Sequence, residues 1–441
     1  MWTRIQVSKG EPVTEAAFSV LALIVLGWAV ASDLLVRWNI TGPLVFLLAG
    51  YAVGNPDWGP LTVDVEAPSV HLLAELTLAL LLFSDAARVN VSKLRQDVYL
   101  PGRLLGIALP LSVVLGSLAA AWLLHDLSWA LAAFVGATLA PTDAALSAQV
   151  INDKRIPMRL RRTLNVESGL NDGIVTPVVA FLLAVAATQL GIGSHDDSGG
   201  GGALVELAVG VLVGLAVGMG SAGLLTFGSR RSWIVAGGRR LGTLAAVLAS
   251  FTLAVAFAGN GFIAAFVAGI AFGACLDRAV VAVEDAVELP ELLGELLMLV
   301  IWFLFGAALV PLALDYLSVS ILVYAVLSLT VIRIAPVAVS LVGSGLDRPS
   351  VLFVGWFGPR GLASIVFALL AVEELGDAQG VESAVAAVSL TILLSVILHG
   401  VSAGPLGSRY VLRERGTDVP GESPVSRRAA HRTGTSTTRE P

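Results

Sequence analysis

The sequence predicts an all-α polytopic membrane protein, and three observations carry that reading. Hydrophobic residues make up 56% of the chain and charged residues only 14%. The mean hydropathy is +0.85. Apolar runs close to the ~20 residues that cross a bilayer recur from residue 16 to residue 405. A soluble domain has no use for so much apolar surface. The net charge of −6 carries little weight, because the placement of charges in a membrane protein matters more than their sum. The single cysteine, Cys275, can close no intrachain disulfide and fits no metal-ligand spacing, so it reads as a packing residue.

Thirteen candidate spans follow in order: 16–36, 42–55, 70–87, 101–124, 128–150, 164–189, 203–227, 241–258, 261–275, 290–313, 318–342, 350–372 and 382–405. The second and ninth are short. Before them, residues 1–15 are polar and lack a secretory cleavage pattern, so no cleaved leader is expected. The positive-inside rule tests the count. Lysines and arginines fall after odd-numbered spans, as in Arg88, Lys93, Arg95 and Arg103, and in Lys154, Arg155, Arg159, Arg161 and Arg162; others lie in the tail. Loops after even-numbered spans contain none. The amino terminus is therefore expected outside and the carboxy terminus in the cytoplasm. A miscount by one span would scramble this alternation.

Three further segments have plain expected roles. GIGSHDDSGGGG (191–202) has the composition of a flexible outer linker, with His195, Asp196 and Asp197 as solvated turn residues. The run Glu284, Asp285, Glu288, Glu291 and Glu295, interleaved with apolar residues, suggests an amphipathic helix at the cytoplasmic interface. Residues 406–441 are expected to be a disordered cytoplasmic tail.

Two prolines near mid-span interrupt the pattern: Pro141 in GATLAPTDAAL of the fifth span and Pro359 in VGWFGPRGLASIV of the twelfth. An interior proline removes a helical hydrogen bond, which a membrane tolerates only where protein or cavity water serves the freed groups. Spans one to six and eight to thirteen form two sets of six, with 203–227 as the connector. An offset of seven spans reverses orientation, so the sets are expected to be inverted repeats. If the two discontinuous spans cross, half-helix ends of both signs meet at mid-membrane, and Asp143 and Arg360 have the signs to compensate them.

Ionisable residues at membrane depth mark function by default. Asp143, Glu167 and Asp172 all fall between residues 136 and 180, and Glu167, Ser168, Asn171 and Asp172 of ESxxND lie along one helical face. One face of one helix thus offers several oxygen ligands.

PTDAAL, NVESGLNDGIVTPVV, GFIAAFVAGIAFG (261–273), VIRIAPV (331–337) and FGPRGLASIVFALL (357–370) together resemble the NhaP/NHE-type monovalent cation/proton antiporters. The resemblance covers all thirteen spans, and ESxxND combined with PRG in register with the topology is its most specific part. It implies an inverted-repeat homodimer in the plasma membrane. Residues 101–189 and 318–405 would form a moving core and residues 16–100 and 241–313 a dimerisation part. It further implies that Asp172 binds both cation and proton beside Asn171, and that Ser168 and the backbone around Thr142 complete the oxygen shell. Glu167 would pair with Arg333, and Asp143 with Arg360. The chain departs from the pattern in having Asp143-Ala144, with its proline two residues earlier. Glu75 and Asp85 of the third span are candidates for a further ligand or a funnel carboxylate.

A carboxylate that holds either a proton or a cation couples two fluxes by competition. If Glu167 and Asp143 are committed to arginines, Asp172 alone titrates, and the expected exchange is one H⁺ for one cation, most simply Na⁺, carrying no net charge. The alternative is a carrier of another solute on the same fold, K⁺ or an organic anion moved with Na⁺. A channel fits paired broken helices less well, and an intramembrane aspartyl protease lacks its GxGD context here. No GxxxxGK[ST] loop is present to support ATP-driven pumping. The chain is therefore expected to be a carrier and not an enzyme. It is expected to need no cofactor and no metal beyond the transported ion, and to bind lipid but no nucleic acid.

Overall fold

Helices are the regular elements throughout the described residues, which in this computed structural model are 15–38, 40–61, 64–65, 67–89, 99–192 and 201–417. Outside them fall residues 1–14 of the expected outer terminus, the linker residues His195, Asp196 and Asp197, and residues 418–441 of the expected tail. In chain order the helices are α1 (Glu15–Arg37), α2 (Gly42–Gly54), α3 (Pro68–Arg88), α4 (Tyr99–Leu123), α5a (Trp129–Thr138), α5b (Ala148–Asn152), α6 (Met158–Gln189), α7 (Gly201–Arg230) and α8 (Ala236–Ala256). They continue with α9 (Gly261–Cys275), α10 (Val283–Asp315), α11a (Val319–Leu329), α11b (Val331–Ser340), α12a (Arg348–Trp356), α12b (Leu362–Leu375) and α13 (Val381–Thr417).

Eight of these spans are long and apolar enough to cross a membrane: α3, α4, α6, α7, α8, α10, α11 taken whole, and α13. The cap chemistry explains several starts. The side chains of Ser128, Asn260 and Asp347 accept from the backbone N–H of Leu131, Ile263 and Ser350 at the heads of α5a, α9 and α12a. Prolines stand in the first turns of α2, α3 and α12a, where a missing N–H leaves nothing unbonded.

Several expectations need correction. The acidic run is helical, and it runs on without a break as the first part of α10, where neighbouring arginines pair with it. Arg239 and Arg240 each reach Asp285 at 2.9 Å, Arg240 reaches Glu288 at 2.5 Å, and Arg88 pairs with Glu291. Residues 406–417 are not disordered, because α13 continues through them. Ala403, Tyr410 and Val411 lie on one face and pack against Leu100, Leu160 and Phe353, and the Tyr410 hydroxyl lies 2.7 Å from Ser350 Oγ. The eleventh span is not continuous but breaks at Thr330, whose backbone has φ −114° and ψ −90°. In α4 and α10, π-helical turns at Leu104–Ala108 and Phe305–Leu309 precede Pro110 and Pro311, which cannot donate to the preceding turn.

The helices pack as two groups, α1–α3 with α7–α10 and α4–α6 with α11–α13. In the first, α9 runs between α3 and α7 and approaches both backbones. A Cβ on Gly210, Gly214 or Gly218 of α7 would meet Asn260, Ala264 or Ala268 of α9. Glycine at every fourth position therefore lets the two helices touch. The groups meet where α3, α9 and α10 face α6, α12b and α13.

Candidate functional site

Between α5a and α5b, and between α12a and α12b, the chain unwinds, and the two unwound stretches cross. The Asp143 N–H donates to the Pro359 carbonyl at 2.8 Å, tying one backbone to the other. The C-terminal carbonyls of Ala140 and Pro141 accept from Arg360 Nη1 at 2.7 and 2.9 Å, and Nη2 reaches the Ser328 carbonyl at 3.4 Å. The Asp143 carboxylate accepts from the N–H groups of Ala145 (2.7 Å), Leu146 (3.3 Å) and Leu362 (3.0 Å). The negative side chain thus sits at amide ends and the positive one at carbonyl ends, the arrangement half-helix dipoles favour.

This corrects the pairing implied by resemblance: among the described residues no ion pair joins Asp143 to Arg360. Each charge is held by backbone of the crossing, so neither needs the other. The glycine of PRG is required by the same geometry, because a Cβ on Gly361 would land on the Asp143 carboxylate. Gly361→Ala is therefore expected to destabilise by about 1–3 kcal/mol, the usual range for overpacking. Melting in detergent checks it, with Gly400→Ala as control, since open space surrounds a Cβ there. Equal melting temperatures would mean the carboxylate does not occupy that space.

On α6 the ESxxND face divides its work. Glu167 and Arg333 of α11b form a bidentate pair at 2.6 and 3.0 Å, only 2% and 1% exposed. Asn171 Nδ2 donates to Thr142 Oγ1 at 2.8 Å and to the Thr142 carbonyl at 3.3 Å. Thr142 Oγ1 lies 3.0 Å from Ser168 Oγ. That leaves Asn171 Oδ1 buried without a hydrogen-bond partner. Beside it, Asp172 is half-buried, and its carboxylate makes no hydrogen bond among the described residues. Gly173 lets α6 approach α9 here, since a Cβ would strike the Phe266 ring. Asn171, Asp172 and Gly173 are therefore mid-helix.

Asp143 and Asp85 are charged neighbours of Asp172. Three carboxylates thus converge from α3, the α5 break and α6. Asp85 is exposed and has Arg88, Glu291, Glu295 and Asp143 as its charged neighbours. Glu75 lies ten positions earlier on α3, about 15 Å along the helix at ~1.5 Å per residue. It belongs to the other end of the group boundary, with Glu373 and Glu374 of α12b as charged neighbours. There His71 Nδ1 lies 3.1 Å from Glu373 Oε2. The structure therefore joins Asp172, Asn171, Ser168, Thr142, Asp143 and Asp85, and separates Glu75 from them.

The candidate oxygens are the Asp172 carboxylate, Asn171 Oδ1 and the Thr142 and Ser168 hydroxyls, of the type a hard cation takes. Sequence reasoning missed Ser328, Ser364, Ser395 and His399. Ser364 Oγ donates to the Thr138 carbonyl at 2.6 Å and Ser395 Oγ accepts the Arg360 N–H at 2.8 Å. His399, a lone histidine inside an apolar span, was the one available signal.

Comparison with known proteins decides the family. The model of the family described as sodium/hydrogen exchanger, transmembrane, matches residues 20–409. The chain belongs to that family. It is 27% identical over 329 residues to the K(+)/H(+) antiporter NhaP of Alkalimonas amylolytica, covering 74% of this chain and 55% of that protein. It is 25% identical over 410 residues to the K(+)/H(+) antiporter NhaP2 of Shewanella baltica (strain OS223), covering 87% and 65%. The match thus spans between half and two thirds of the length of these relatives. In fold it is similar to the sodium proton antiporter MjNhaP1 from Methanocaldococcus jannaschii at pH 8, with a TM-score of 0.71 and 20% identity, over 90% of this chain and 99% of that one. This exchanger-family chain therefore has the fold of a solved antiporter around the carboxylate cluster described above.

Proposed function

We propose that this protein exchanges a monovalent cation for H⁺ across the plasma membrane, one for one, with Asp172 as the shared site. The observation that carries the reading is the contrast among the ionisable groups at the crossing. Glu167 and Arg333 are paired, Asp143 and Arg360 are bonded to backbone, and on the ESxxND face Asp172 offers a carboxylate without a hydrogen bond among the described residues, as does the more exposed Asp85 of α3. Protonated, it is neutral; ionised, it completes a cation site with Asn171 Oδ1, Thr142 and Ser168. Either occupant satisfies the charge, while the empty site retains an unpaired carboxylate beside Asp143 and Asp85 and resists crossing the membrane. Alternating access then couples the two gradients.

The two packed groups supply the moving parts of this reading. α4–α6 with α11–α13 carry the site and form the transport core, and α1–α3 with α8–α10 form a dimerising scaffold to which α7 connects. The inverted-repeat relation is supported by paired breaks seven spans apart. Arginine-rich loops at one end support a cytoplasmic carboxy terminus. Na⁺ is the favoured cation, and K⁺ is the second reading, favoured by the names of the NhaP and NhaP2 relatives.

The test is dequenching of a pH-sensitive dye in acid-loaded proteoliposomes, with Na⁺, Li⁺ and K⁺ added in turn at two clamped membrane potentials. Cation-dependent alkalinisation that ignores the clamp is expected. A rate that follows the clamp would refute one-for-one exchange, and silence toward every cation from folded protein would refute the proposed substrates.

A further inference from the structure

Among the backbone groups that the break in α12 leaves outside regular helix are the Trp356 carbonyl at the end of α12a and the Arg360 N–H before α12b. Inside the break, the Trp356 carbonyl meets only the N–H of Gly358, at 2.8 Å. Both groups are met by α13. Ser395 Oγ accepts the Arg360 N–H at 2.8 Å, and His399 Nε2 lies 2.8 Å from the Trp356 carbonyl oxygen. His399 Nδ1 lies 3.2 Å from Ser395 Oγ and 2.9 Å from the Ser395 carbonyl. One turn further on, Ser402 Oγ accepts the Trp356 indole N–H at 2.9 Å, and the Trp356 ring stacks on His399 with centroids 5.1 Å apart. Ser395, His399 and Ser402 stand at i, i+4 and i+7, one face of one helix.

Carbonyl oxygens only accept, and the His399 ring faces one at each nitrogen, Trp356 at Nε2 and Ser395 at Nδ1, so a ring N–H donates to backbone. The Arg360 N–H donates to Ser395 Oγ. The Ser395 and His399 side chains are buried, at 0% and 2% exposure, so water does not replace them. Both ends of the break are thus met by side chains of a neighbouring helix. Between those ends, the Pro359 carbonyl accepts the Asp143 N–H and the Arg360 guanidinium donates to Ala140 and Pro141. These contacts in turn hold Thr142, whose hydroxyl and carbonyl bond Asn171.

We infer that Ser395 and His399 are positioning residues, a clamp on the broken α12 that sets the oxygen shell beside Asp172 without touching the ion. The inference rests on the exchange proposed above. His399→Ala should raise the apparent KM for the cation about tenfold, the scale of losing one buried hydrogen bond. His399→Gln, whose amide N–H can still donate, should restore KM to within about twofold with the wild-type pH profile. Amide hydrogen exchange on the full-length protein in detergent should accelerate over residues 357–361 in the Ala variant and not in the Gln variant. A lowered maximal rate at unchanged KM in His399→Ala would overturn the clamp, as would unaltered amide exchange. A displaced pH profile in His399→Gln would make the residue a proton carrier instead. If the wild type exchanges no cation, the proposed function fails, and amide exchange alone decides the clamp.

Discussion

Asp172→Asn is expected to abolish cation-driven proton movement, reducing it to the level of empty vesicles, while the protein stays folded. The amide preserves the volume of the side chain but can neither take up a proton nor supply charge to a cation, so both halves of the competition vanish together. Stability should survive because the Asp172 carboxylate makes no hydrogen bond among the described residues. Its charged neighbours are the carboxylates of Asp143 and Asp85, so removing its charge also removes a repulsion. The check is dye dequenching beside a melting curve of the same preparation. Exchange at the wild-type rate would remove Asp172 from the mechanism. Loss of activity with a collapsed melting temperature would show that the residue is structural.

Arg333→Ala is expected to have the largest effect on stability. It leaves Glu167, 2% exposed, without the guanidinium that bonds both of its oxygens. Breaking a buried pair from one side costs about 3–5 kcal/mol in soluble cores, whereas replacing both partners by apolar groups is often neutral or better. The double variant Glu167→Leu/Arg333→Met should therefore melt closer to wild type than Arg333→Ala does. Melting temperatures of the three proteins in one detergent decide the matter. A single variant that melts with the wild type would show that the pair contributes nothing. A double variant worse than the single would show that the charges hold the fold by more than their mutual attraction.

Much of the crossing was legible in the sequence because an apolar span makes any exception conspicuous. Pro141 and Pro359 announced their breaks by the missing N–H, and the ESxxND spacing put Glu167, Ser168, Asn171 and Asp172 on one face. The signs of Asp143 and Arg360 also matched the half-helix ends they meet. What stayed hidden was the identity of the partners. Asp143 and Arg360 looked like a pair, yet each bonds carbonyls or amides freed by the break in the other span, and a backbone group has no letter of its own. The interruption at Thr330 had no glycine or proline to mark it. The helical extension to Thr417 depends on a face of α13 finding Leu100, Leu160 and Phe353, which come from three other helices.

The sequence by itself determined the membrane class, the position of most spans, the two proline breaks and the helical face that carries Glu167, Ser168, Asn171 and Asp172. These follow from local chemistry, namely hydropathy, helical period and the cost of charge in lipid. Tertiary structure alone decided which atoms neutralise which charge, that Asp85 joins the Asp172 cluster while Glu75 lies away from it, and that α13 clamps the broken α12. Those outcomes depend on backbone groups exposed in one helix and met by side chains of another, and only the packing of the helices brings them together.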